Sequence, residues 1–351
     1  MIFTKEGEVE VFSGSKKCST PVTTFPKFGG KGRTSSLLDE ELLLLGNDDL
    51  GIKGGQYISI QKPRDGLLAM KYSVRDIPLI GSPHRHTSLV SRNELAVLGG
   101  KFKSKGMLSK FTWTELSLHW ENGTKFNADF EASCSVKVDI DVHVVFGGEH
   151  SFDHQRKSGR QVVKINTTEQ IVYQMKPMSR NRRDHSCQIL TASIALLSGG
   201  FDQSIVQPDE IYNITSEEVL EVLSMERSLG RTQHSLFRRG TQVFALGGKD
   251  SNDNATSKIA AFNTTSNAWE DLDQDLFSSS TSELVVTPFP ASALDCVGGC
   301  QCGVPNMKQR IFGGTAAEVK IQSCFETTKL IKLVGGEKRI TKKILANLNL
   351  F

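Results

Sequence analysis

Nucleophilic, redox or metal chemistry in this 351-residue sequence would run through eight histidines (His84, His86, His119, His143, His150, His154, His185 and His234), seven cysteines and four tyrosines. A structural zinc site needs pairs of ligands at short spacing, and Cys300-Gln301-Cys302 has no partner pair. No metal and no cofactor are expected. Of the cysteines (Cys18, Cys134, Cys187, Cys296, Cys300, Cys302 and Cys324), four crowd into 296–324, and the odd total leaves at least one without an intrachain partner. Seven are too few for a scaffold built on disulfides. Five Asn-x-Thr sequons, at Asn122, Asn166, Asn213, Asn254 and Asn263, are candidate N-glycosylation sites. The densest run of charge is KPMSRNRRDHS at 176–186, containing Arg180, Arg182 and Arg183. It reads as a solvated loop or as a candidate patch for acidic ligands.

The balance of charge narrows the classes. The 42 basic and 39 acidic residues leave a net charge of +3, which gives no electrostatic case for nucleic acid as the partner. The 38% hydrophobic and 23% charged fractions suit a folded soluble chain. No apolar run approaches the roughly 20 residues that cross a bilayer, so no membrane span is expected. The opening MIFTKEGEVEVF shows neither the basic nor the apolar region of a signal peptide.

The elements that must carry these residues are repeats. Short apolar stretches ending in glycine recur: EELLLLG, NELAVLGG, DVHVVFGG, SIALLSGG, TQVFALGG and ALDCVGG. Their glycines are Gly46, Gly99–Gly100, Gly147–Gly148, Gly199–Gly200, Gly247–Gly248 and Gly298–Gly299, and the first of each set are 53, 48, 52, 48 and 51 residues apart. A period near 50 residues signals a repeat architecture. A polar-to-apolar lead-in precedes most glycine pairs: RTSSLL, RHTSLV, RDHSCQI and RTQHSLF. After the pair come KINTTEQIVYQM, IYNITSEEVLEVL and AFNTTSNAWEDL, whose Asn166, Asn213 and Asn263 sit at turn positions. Each unit therefore reads as four strands. The continuous apolar run before Gly-Gly predicts a strand buried on both faces. The glycines are expected because the chain must turn there with positive φ and close backbone approach.

This pattern resembles the kelch-repeat β-propellers over about residues 8–299, most specifically in the glycine pairs and the Trp269 unit. The resemblance implies an all-β fold of six four-stranded blades, with a non-catalytic protein-binding role on one face. The last unit stops soon after its Gly-Gly, so residues 8–12 and 20–24 are expected to complete the final blade and close the ring. Arg180, Arg182 and Arg183 would then sit in a loop of the binding face. His84, Arg85 and His86, with Arg231 and His234, would line the channel mouth or satisfy backbone groups there. The kelch-type copper oxidases need a Tyr/Cys cofactor with histidine ligands, and nothing beyond His84/His86 offers such a pair. An intracellular kelch adaptor is disfavoured because no BTB, BACK or F-box-like helical region is present.

Beyond the repeats, CQCGVPNMKQRIFGGTAAEVK at 300–320 resembles the activation junction of a trypsin-like serine protease zymogen. By that resemblance Arg310 is the cleavage residue, Ile311 the new N-terminus and Cys302 the cysteine tethering the leader. Catalysis is not expected, because that mechanism needs a serine, a histidine and a carboxylate in concert. All eight histidines precede Ile311, and no Gly-Asp-Ser-Gly-Gly motif occurs. The expected organisation is a propeller over 1–300, a protease-activation-like linker over 301–320 and a tail over 321–351. The chain reads as a binding module derived from a propeller–protease fusion, with an unnamed protein as partner. The alternative is the propeller portion of a secreted zymogen whose catalytic domain is truncated here. The sequons and the zymogen-like leader favour an extracellular over a cytoplasmic location.

Overall fold

The computed structural model describes residues 130–152, 155–224 and 228–272 and, outside them, the strands named below, mostly through backbone pairing. The expectation of an all-β chain holds: no described residue is helical, and the strands form several antiparallel sheets. Among the described residues, six sheets have four consecutively paired strands. The first holds Thr34–Leu38, Glu41–Asn47, Lys53–Gln61 and Ala69–Ile77, with Ala317–Lys320 added on its outer edge. The second holds Thr87–Ser91, Glu94–Leu98, Met107–Thr114 and Ser117–Lys125. The third comprises Cys134–Asp139, Val142–Phe146, Val162–Asn166 and Ile171–Met175. The fourth comprises Ser186–Thr191, Ile194–Ser198, Glu210–Asn213 and Glu218–Val222. The fifth comprises Ser235–Arg239, Gln242–Leu246, Lys258–Asn263 and Ala268–Asp275.

The sixth sheet joins distant parts of the chain: Val285–Val286, Ile2–Phe3, Glu8–Ser13 and Cys18–Thr24, in that order. Residues 8–12 and 20–24 therefore pair with each other as the sequence suggested, and Pro21 falls on the edge strand, where proline is tolerated. The second place, expected for ALDCVGG, belongs instead to Ile2–Phe3, registered against Val286 and Val285 on one side and Glu10 and Val9 on the other. Residues 293–299 lie outside the described residues. The first strands of successive sheets lie side by side: Thr34–Leu38, Thr87–Ser91, Cys134–Asp139, Ser186–Thr191, Ser235–Arg239 and Val285–Val286, the last returning to Thr34–Leu38.

The core sits between sheets rather than within one. Leu89, Ala96 and Leu98 of the second sheet meet Phe130, Val145, Val163 and Ile165. Phe146 and Val162 of the third meet Ala195, Leu197 and Tyr212 of the fourth, with the Phe146 and Tyr212 rings edge to face at 5.4 Å. Leu196 and Ile211 meet Val243 and Phe262. This layering explains why Val142–Phe146 and Ile194–Ser198 are buried almost throughout: each has a sheet against both its faces.

Three of the glycine pairs have the backbone that the turn requires. Gly147, Gly148, Gly199, Gly200, Gly247 and Gly248 all have positive φ, between 57° and 102°. A Cβ at Gly199 would stand 1.8 Å from the Arg231 carbonyl oxygen, and one at Gly147 would stand 2.6 Å from that of Arg182. Gly46 lies within Glu41–Asn47, while Gly99, Gly100, Gly298 and Gly299 lie outside the described residues. At the opposite end of the sheets, the Oδ1 atoms of Asn166, Asn213 and Asn263 each accept two backbone N–H bonds, from Thr168 and Glu169, Thr215 and Ser216, and Thr265 and Ser266. A disulfide between Cys134 and Cys187 joins the first strands of the third and fourth sheets. No helix among the described residues is long and apolar enough to cross a membrane.

Candidate functional site

Antiparallel order places the Gly-Gly turns and the lead-ins to each first strand at one end of the sheets. Two small hairpins enlarge this end, Glu149–Phe152 with Gln155–Ser158 and Phe201–Asp202 with Ile205–Val206. Close to the first strands, Ala132, Asp184 and Gln233 hold equivalent positions with left-handed backbones (φ 56°, 53° and 53°). They are linked head to tail: the Asp184 N–H donates to the Ala132 carbonyl at 3.1 Å, and the Gln233 N–H to that of Asp184 at 2.9 Å. Side chains repeat the pattern. The Thr87 hydroxyl donates to the Ser133 carbonyl, and the Ser186 hydroxyl to that of His234.

Several residues expected on an open face lie inside. Arg182 is fully buried; it donates to the carbonyls of Gly199 (2.9 Å) and Pro208 (3.0 Å) and pairs with the equally buried Glu210. Arg231 is buried too and donates to the Lys258 carbonyl at 2.7 Å. The reason is the fork of guanidinium donors, which satisfies carbonyls left unpaired where the strands end. His234 and its counterpart His185 are also buried, each ring packed against the glycine of the preceding unit, Gly199 and Gly147 respectively. Burial, followed by the Arg231 charge, lowers the His234 pKa to about 3. Burial, with Arg182 and His234 nearby, holds His185 well below the ordinary histidine range. His84, Arg85, His86, Arg310, Ile311 and Cys302 lie outside the described residues, as does the side chain of Asn122.

Part of what remains exposed at this end is organised around the loop from Met178 to Arg182. Both ends of that loop are buried and bonded: the Met178 N–H donates to the Arg160 carbonyl and the Arg182 N–H to that of Gly159, each at 2.9 Å. The Ser179 N–H donates to Glu210 at 3.1 Å. Between these anchors Ser179, Arg180 and Asn181 face solvent, with Arg160 beside them. Arg160, Ser179, Arg180, Asn181, Asp202 and Gln207 line one shallow depression, and an adjoining one of about 400 Å³ adds Ile205, Val206 and Pro208. Arg183, next along, is already engaged by Glu149 at 2.8 Å and lies over the Phe201 ring at 5.3 Å. Sequence reading missed Arg160 and Asn181. The signal available was the repeat phase, which puts 159–160 and 178–182 at the same end of adjacent units.

Behind the loop end, Asp209 accepts bonds from the Gly199 N–H (2.8 Å), the Ser198 hydroxyl (3.2 Å), the Leu229 N–H (3.3 Å) and the Trp269 indole (2.6 Å). Trp269 thus fastens the fifth sheet to the fourth. Burial pushes the Asp209 pKa up, and these donors pull against it. At the Asn-turn end, His143 Nε2 and the Ser91 hydroxyl are 3.3 Å apart, an arrangement that elsewhere activates a nucleophile. Here both are buried, Ser91 also bonds Thr167, and desolvation, helped by the Lys137 charge, lowers His143 to about 4. The pair stitches the second sheet to the third. Among the described residues, no group of three metal-binding side chains comes together.

No family model matches the sequence. No curated protein matches it either. Among solved structures it is similar to one titled "Structure of YjhT", with a TM-score of 0.49 and 13% identity, over 58% of this chain and 69% of that one.

Proposed function

We propose that the chain is a six-bladed kelch-type β-propeller that acts as a non-catalytic protein-binding module, with the Gly-Gly loop end as its binding surface. The observation that carries this reading is the cyclic order of the first strands, with the last sheet assembled from residues 285–286 and 2–24. Pairing strands from distant parts of the chain in one sheet removes the open edges that an unclosed array would expose. The head-to-tail backbone bonds from Ala132 to Gln233 support a common axis. The loop end carries exposed cations held on buried anchors, whereas the opposite end is occupied by turns that satisfy themselves. An extracellular location fits the Cys134–Cys187 disulfide, because such bonds persist in oxidising compartments. It also fits Asn254, an exposed sequon on the loop end.

Hydrogen exchange on the intact chain tests the ring. Glu41–Asn47, Glu94–Leu98, Val142–Phe146, Ile194–Ser198, Gln242–Leu246 and Ile2–Phe3 are expected to exchange slowly together, as parts of one cooperative unit. Slow exchange confined to the third, fourth and fifth sheets would contradict a closed six-unit ring.

A further inference from the structure

We propose that Arg160 and Arg180 together receive a carboxylate of an acidic peptide, and that Ile205 receives an apolar side chain next to it. This rests on reading the loop end as the binding surface. Arg182, Arg183 and Arg231 all have carboxylate or carbonyl partners, whereas Arg160 and Arg180 have none among the described residues and both are exposed. They line the same depression. Its one carboxylate, Asp202, accepts a bond from the Asn181 amide at 3.3 Å. Two guanidinium groups against one carboxylate leave a single positive charge for an incoming anion, and the planar donor fork of arginine suits a carboxylate.

The site is held before anything binds. Buried Met178 and Arg182 fix the ends of the Arg180 loop, and the backbone of Phe201 bonds Arg183 in both directions, fixing the hairpin that carries Ile205. Gln207 bonds the Ile205 carbonyl through its amide at 2.9 Å. Preorganisation of this kind lowers the ordering cost of binding. Ile205 is 68% exposed, an apolar side chain that lines the adjoining depression with Arg180. The depressions are shallow and open, unlike the enclosed apolar cavities that bury small molecules. An extended peptide with an acidic and an apolar residue two positions apart, on the same face, matches both halves.

The test uses the full chain and a dye-labelled peptide of sequence Glu-Ser-Ile-Ser-Glu-Ser-Leu, with Gln-Ser-Ile-Ser-Gln-Ser-Leu as its uncharged counterpart, read by fluorescence anisotropy. The acidic peptide is expected to bind about tenfold more tightly than its counterpart. Arg160→Glu and Arg180→Glu are each expected to weaken it by about tenfold, and Ile205→Ser by about fivefold. Thermal melts should be unchanged, because all three side chains are exposed. Equal binding of the two peptides, or no effect of either arginine variant, overturns the proposal. Competition by inorganic phosphate at the peptide's own concentration overturns it as well, by reducing the site to a simple anion site. A photoreactive version of the peptide separates the two levels of inference. Cross-links confined to 249–257 would reject this site while leaving the loop end as the binding surface; cross-links at the Asn166, Asn213 or Asn263 turns would reject both.

Discussion

At Gly199 the space for a side chain is already taken. The residue is held at φ +59°, and the Arg231 carbonyl occupies the position of a Cβ. Gly240, in a tight turn, has the same φ of +59° with nothing within 4 Å. Comparing the two isolates the steric part from the conformational part. Gly240→Ala is expected to cost about 1 kcal/mol, from left-handed backbone strain alone, and Gly199→Ala about 3 kcal/mol or more, because backbone must move as well. Urea midpoints measure the difference, and equal losses would contradict the close approach. The glycine requirement was legible in the sequence, since it follows from a local turn. The fate of the arginines was not. Arg180 and Arg182 look alike in KPMSRNRRDHS, yet one is exposed and the other fully buried. What separates them is a set of acceptors at Gly199, Pro208 and Glu210, which only the folded chain brings to Arg182.

The strands follow the same division. Apolar runs before Gly-Gly and Asn turns after them mark elements whose causes are local, and the third, fourth and fifth sheets appear where those marks fall. The short strand Ile2–Phe3 carries no such mark, and its place depends on Val285–Val286 arriving beside it. Nor could the seven cysteines be paired by spacing. Cys134 and Cys187 come together because neighbouring first strands run side by side, with a separation of 53 residues. Closing a loop of that length restricts the unfolded chain, so Cys134→Ser is expected to cost about 2–4 kcal/mol. Reductant should lower the urea midpoint of the parent protein by at least the loss seen in the variant. A parent midpoint indifferent to reductant would contradict this role.

At the scale of the whole molecule, three buried histidines are expected to make the fold acid-labile. His143, His185 and His234 are all depressed by burial, with Lys137, Arg182 and Arg231 among the charges adding to it and Asp141 opposing it at His143. The unfolded chain takes up protons near pH 6.5, while the fold holds off until about 4 at His143 and about 3 at His234. Between these limits the unfolded state binds more protons, so stability is complete above pH 6.5 and declines as the pH falls. At pH 5 His143 and His234 are each expected to have removed about 2 kcal/mol, and His185 acts in the same direction. Asp209, whose pKa is raised, works in the opposite sense, since its ionisation costs stability as the pH rises from the ordinary carboxylate range. Urea unfolding at pH 7.5 and 5.0 should show the net loss, and equal free energies at the two values would contradict it. The loop from Met178 to Arg182 has a different kind of consequence. Its buried ends belong to the scaffold, while the three positions between them touch little that the fold depends on. On the proposed reading of this end as the binding surface, recognition can therefore drift in evolution, three letters at a time, without renegotiating how the chain folds.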